Sequence, residues 1–76
     1  MSILIKLREN KDFTENEEYI AKYIIKNFRN IRELDTYIIS SETYTSNAGV
    51  TRMCQKIGFS GFQEFKMKML EEVINM

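Results

Sequence analysis

The chain has no histidine, no proline and no tryptophan, and only one cysteine and three glycines among its 76 residues. Without histidine there is no Ser-His or Cys-His pair to activate a nucleophile and no imidazole to bind a metal. A lone cysteine, Cys54, can neither build a zinc site nor close an internal disulfide, which fits a reducing compartment. Gly49, Gly58 and Gly61 are wrongly spaced for the phosphate loops G-x-x-x-x-G-K-[ST] and G-x-G-x-x-G. The carboxylate pairs Glu17-Glu18 and Glu71-Glu72 are adjacent on expected helices, where neighbouring side chains diverge by about 100° and cannot share a proton or clamp a metal. An enzyme is therefore not expected, nor a cofactor or metal. No apolar run approaches the roughly 20 residues that span a bilayer, and Ser2 to Leu7 is too short for a secretory signal, so a soluble cytoplasmic protein without membrane contact is expected.

Charge of one sign is also lacking, since 11 Lys and Arg balance 11 Asp and Glu. The chain as a whole has no pull toward nucleic acid, yet its cations are unevenly placed. Ser46 to Lys68 carries four cations (Arg52, Lys56, Lys66, Lys68) and one anion (Glu64), whereas Met1 to Thr45 carries seven cations and eight anions. A local basic strip survives inside a neutral protein.

What is present favours helix: Ile, Leu, Met, Glu and Lys abound, and 76 residues suffice for a single all-α domain of about five short helices around a modest core. Ser2 is expected to cap an opening helix to about Asn10, with Ile3, Leu4 and Leu7 as a broad apolar face that needs a partner. Thr14 with Glu17 matches a capping box, followed by the stripe Ile20, Ala21, Ile24 and Phe28, with Lys22, Lys26 and Arg29 outside. Asp35 or Thr36 caps a third helix to about Thr43, although Tyr37-Ile38-Ile39 also has strand propensity. Ser60 with Gln63 signals another cap, and Phe62, Phe65, Met69, Leu70 and Val73 line a terminal helix expected to pack on the one before it.

Ser46 to Lys66, SNAGVTRMCQKIGFSGFQEFK, carries the most information. Ser46 can cap a helix that Gly58 ends in a left-handed conformation, and Phe59 can then fold back onto Met53 or Cys54. Val50, Met53, Cys54 and Ile57 follow the spacing of a buried stripe. Cys54 reads as a small buried hydrophobe. Asn47, Ala48, Thr51, Arg52, Gln55 and Lys56 cover the remaining surface, which is small, polar and basic. Such a helix, 47–57, suits the major groove, where Arg reads guanine, Asn and Gln read adenine and small groups touch thymine.

This run, above all GFSGFQEFK, resembles the N-terminal helix-turn-helix domain of the RpiR family, bacterial transcription regulators of sugar-phosphate metabolism. Thr14-x-x-Glu17 followed by Ile20-Ala21-Lys22-Tyr23-Ile24 is similar to the family's second helix. The resemblance implies a homeodomain-like bundle that binds operator DNA as a homodimer. It also implies a C-terminal sugar-isomerase-like domain sensing a phosphosugar effector, which Met1 to Met76 does not include. Three positions depart from the family pattern. Tyr44 stands where the turn usually has glycine, Asp35 where Ser or Thr caps the third helix, and Gly49 where threonine is usual. A left-handed tyrosine costs about 1 kcal/mol or more, so a remodelled turn and weaker DNA binding are expected.

Arg52 is the expected base or phosphate contact, with Asn47 and Ala48 next at base edges in the first turn. Ser46 caps and can touch phosphate as a second role. Thr51, Gln55 and Lys56 are expected to set register on the backbone, with Lys56 the foremost phosphate partner, while Lys66 and Lys68 are expected simply to be solvated. The rival reading is a helical dimerisation or protein-docking module that does not bind DNA, supported by the neutral charge and the altered turn; Ile3, Leu4 and Leu7 could seal a dimer under either reading.

Overall fold

In the computed structural model, which describes residues 2–76, five α-helices follow one another: α1 (Ile3–Glu9), α2 (Glu15–Asn27), α3 (Thr36–Thr43), α4 (Asn47–Lys56) and α5 (Phe62–Ile74). A 3-10 segment, Phe28–Glu33, joins α2 to α3. No strand occurs among the described residues, so the β-branched run Tyr37-Ile38-Ile39 is helical. Asp35 decides the matter locally, its carboxylate accepting the Ile38 N–H at 2.7 Å as an N-cap.

At the start of α2 the capping box forms in both directions. The Glu17 N–H donates to the Thr14 hydroxyl at 3.2 Å, and the Thr14 N–H donates to the Glu17 carboxylate at 2.9 Å. The helix this starts is the hub of the fold, contacting α1, α3, α4 and the 3-10 segment. Its stripe supplies Ile20, Ala21 and Ile24 to the core, whose most deeply buried members also include Ile31, Ile39, Val50, Met53, Cys54, Phe65 and Met69, with no more than 2 % exposure each. Full burial of side chains this large stabilises by about 1.5–3 kcal/mol apiece. Phe28 does not continue the stripe, because α2 gives way to the 3-10 segment there; Arg29 instead stacks over the Phe28 ring at 5.0 Å.

Several sequence expectations change in three dimensions. Ser2 occupies the N-cap position of α1 but its hydroxyl caps nothing, donating instead to Glu72 of α5 at 2.7 Å. The same Glu72 carboxylate accepts the Ile3 N–H at 2.7 Å and the Leu4 N–H at 3.4 Å, so the first turn of α1 is capped from the far end of the chain. Burial alone would raise the Glu72 carboxyl, but these donors outweigh it and hold the group below the usual glutamate value. Ile3 and Leu7, read as a sticky face awaiting a partner, are buried within the molecule against α2, so they are not free to seal a dimer.

At the other end, Ser60 and Gln63 do not cap α5. The cap position falls on Gly61 with no side-chain bond, while Glu64 reaches back to accept the Ser60 N–H at 2.7 Å. Phe62 and Phe65 are buried as expected, but α5 lies chiefly across the 3-10 segment and only secondarily on α4. Lys66 is not simply solvated; its ammonium donates to the Leu34 carbonyl at 2.8 Å and closes the end of that segment.

Candidate nucleic-acid interface

Two turns present α4. After α3, Tyr44 takes the left-handed conformation (φ 56°, ψ 41°), with the Thr45 N–H donating to Ser40 O at 2.9 Å and the Tyr44 N–H to Ser41 O at 3.4 Å. This is the double bond pattern of a glycine-type helix end, so the turn keeps its usual form around a residue that strains it. Ser46 then caps α4, its hydroxyl accepting the Gly49 N–H at 3.0 Å. At the far end Gly58 is left-handed at φ 100°, and the Phe59 N–H folds back to Cys54 O at 3.1 Å. Phe59 itself packs edge-on against Phe65, with centroids 5.7 Å apart.

Val50, Met53, Cys54 and Ile57 all face the core. Burial pushes the Cys54 thiol up to about 12, so it stays protonated and unreactive at neutral pH. Gly49 lies against α2, where an added β-carbon would stand 3.3 Å from the Ser46 hydroxyl and 3.5 Å from Ile20 Cδ1. The α2 neighbour would stand at ordinary van der Waals distance and the tighter one is the hydroxyl that caps α4, so a β-carbon here would crowd the cap rather than the seat on α2.

Ser46, Asn47, Ala48, Arg52 and Gln55 are exposed and Thr51 is half-buried, so the expected face exists as one surface of α4. Some of its groups are partly engaged. The buried Ser40 hydroxyl lies 2.9 Å from Asn47 Oδ1, and Gln55 donates one amide N–H to Ser60 O at 3.2 Å. Arg52 keeps 60 % of its side chain exposed, with Nε 3.9 Å from Glu17. Lys56 is placed differently, its ammonium donating to the Glu17 carboxylate and, at 2.9 Å, to Asp12 O.

Glu17 itself is 2 % exposed. Its burial would raise the carboxyl, yet the bonds from Lys56 and from Thr14 hold it below the usual glutamate value and keep it ionised. Next to this cluster the N-termini of α2 and α4 converge on a polar cleft lined by Thr14, Glu15, Asn16, Glu17, Thr45, Ser46, Gly49 and Arg52. Sequence reasoning had placed Thr14 only as a cap and had not singled out Asn16 or Thr45. Nothing in the linear order shows that two helix starts more than thirty residues apart share one cleft.

Helices α3 and α4, joined by the Tyr44 turn and laid across α2, make this a helix-turn-helix unit with a solvent-facing second helix. Residues 1–75 match the family model described as the helix-turn-helix domain of the rpiR family. The chain belongs to that family. It is 40 % identical over 68 residues to an HTH-type transcriptional regulator of Caldanaerobacter subterraneus subsp. tengcongensis, covering 88 % of this chain and 24 % of that protein. An HTH-type transcriptional regulator of Clostridium perfringens is 38 % identical over 77 aligned positions, covering 99 % of this chain and 27 % of the other. The chain thus spans about a quarter of the length of these relatives. Among solved structures, the Vibrio vulnificus NanR protein complexed with ManNAc-6P superposes with a TM-score of 0.92 at 26 % identity, covering 99 % of this chain and 29 % of that one. The all-α, helix-turn-helix expectation is borne out.

Proposed function

We propose that this domain binds operator DNA by placing α4 in the major groove, as the DNA-reading part of a transcriptional regulator rather than an enzyme. The observation that carries the reading is the division of α4 into a fully buried apolar stripe and an exposed polar face centred on Arg52, in a chain of the rpiR family. Arg52 contacts a base edge or phosphate, Asn47 and Ala48 meet base edges from the first turn, and Ser46, Thr51 and Gln55 set register on the backbone. The cleft beside Ser46 adds the Thr14 and Thr45 hydroxyls and the N-termini of α2 and α4, which favour a phosphate oxygen, against the Glu15 and Glu17 carboxylates that also line it.

Of the two features behind the docking-module alternative, the altered turn falls away, since the Tyr44 turn keeps its fold-back bonds, and the neutral charge remains. For the whole regulator the reading extends to a cytoplasmic homodimer on paired half-sites that answers to a phosphosugar through a further domain; of these, the NanR complex with ManNAc-6P supports only the phosphosugar. No described helix is long and apolar enough to cross a membrane. The test is anisotropy titration of duplexes enriched from a random pool. Affinity should fall steeply with salt, and Arg52→Ala should weaken specific binding by about 1–3 kcal/mol, roughly five- to 150-fold. Tight binding untouched by that substitution would remove the assignment.

A further inference from the structure

Arg52 and Lys56 lie one helical turn apart on α4, yet the fold uses them differently. The Lys56 ammonium has two acceptors inside the molecule, the Glu17 carboxylate and the Asp12 carbonyl, and its side chain is 34 % exposed. Arg52 only leans toward Glu17, Nε to Oε2 at 3.9 Å, and keeps 60 % of its side chain in solvent. Glu17 cannot leave: it is buried, and it also closes the cap of α2. A buried carboxylate that loses its cation is strongly destabilising, more so than a single screened phosphate contact is favourable. Reaching for DNA would therefore be a losing exchange for Lys56.

We propose that Glu17 is a positioning residue of the DNA-reading surface, tethering Lys56 to the domain's own acceptors and leaving Arg52 as the single cation that α4 delivers to the duplex. The inference rests on the DNA-reading function proposed above. Its consequence concerns specificity. A reading helix that delivers one positive charge instead of two holds non-specific DNA weakly, so base contacts decide where the domain stays.

The experiment measures the affinity of the 76-residue chain for a duplex enriched against it from a random pool, between about 50 and 300 mM KCl, and takes the slope of log K against log salt. Circular dichroism confirms that every variant is folded at the assay temperature. Lys56→Gln should leave the slope unchanged, whereas Arg52→Gln should flatten it by about 0.9, the value of one phosphate neutralised. Glu17→Gln preserves the cap, because glutamine also serves that position, and should steepen the slope by about 0.9 as Lys56 is released. Adding Lys56→Gln to Glu17→Gln should then restore the wild-type slope. A flattening by Lys56→Gln equal to that of Arg52→Gln overturns the proposal, as does an unchanged slope in Glu17→Gln. So does a double variant as steep as Glu17→Gln alone, which would assign the effect to the lost carboxylate charge. Failure of the wild-type chain to bind any enriched duplex sinks the DNA-reading function itself, a result distinct from all of these.

Discussion

The turns at the two ends of α4 share one hydrogen-bond pattern and differ in the residue that makes it. After α3 the left-handed position is Tyr44, and after α4 it is Gly58. Each is followed by a fold-back bond, Thr45 N–H to Ser40 O at 2.9 Å and Phe59 N–H to Cys54 O at 3.1 Å. At Gly58 the backbone is unstrained and the next residue, Phe59, is half-buried against Phe65. Tyr44 carries the β-carbon penalty and recovers little by packing, since 93 % of it is exposed. A strained residue with little burial to offset it, next to the first turn of a reading helix, points toward function rather than stability. The C-terminal end of α4 is instead the anchored one, through Lys56 and Glu17.

That contrast can be broken most severely at the anchor. Lys56→Met removes the nearer of the two cations beside the Glu17 carboxylate and the bond to Asp12, and should cost about 2 kcal/mol in urea unfolding, below the roughly 3–5 kcal/mol of a fully buried pair because Lys56 is partly exposed and Arg52 stays near. Next comes Gly58→Ala. Nothing lies within 4 Å of the added β-carbon, so the whole effect is backbone strain, a loss of about 1–2 kcal/mol. Tyr44→Gly should move stability the other way, a gain of up to about 1 kcal/mol, reduced by the greater freedom of glycine in the unfolded chain. A loss of stability in that variant would show that the tyrosine ring contributes contacts outweighing its strain.

The smallest expected effect is in the pH profile. Glu17 and Glu72 have carboxyls held below their unfolded values, so their contribution is present above the ordinary glutamate range and is lost as pH falls through the lower folded values. Thermal melts should therefore decline below about pH 4, and less so in Glu17→Gln.

Much of this arrangement was legible in the sequence because it rests on local chemistry. The Thr14 and Glu17 cap, the Asp35 and Ser46 caps, the left-handed Gly58 and the buried Val50, Met53, Cys54 and Ile57 stripe each depend on residues within a few positions of one another. The expectations that changed concern partners far apart in the chain. Glu72 caps α1 in place of Ser2, Lys66 reaches Leu34, and Lys56 turns to Glu17, and no spacing rule predicts such meetings. The α4 face was legible as a pattern, but its division between a largely exposed arginine and a tethered lysine was not. That division arises only when α2 is laid beside α4.

The Glu72 bridge carries a last consequence. Because one carboxylate in α5 holds the opening amides of α1, the first turn of α1 depends on where α5 lies. A bend or pull on α5 would release the first turn of α1 and loosen its apolar underside from α2, the helix on which the reading helix is seated.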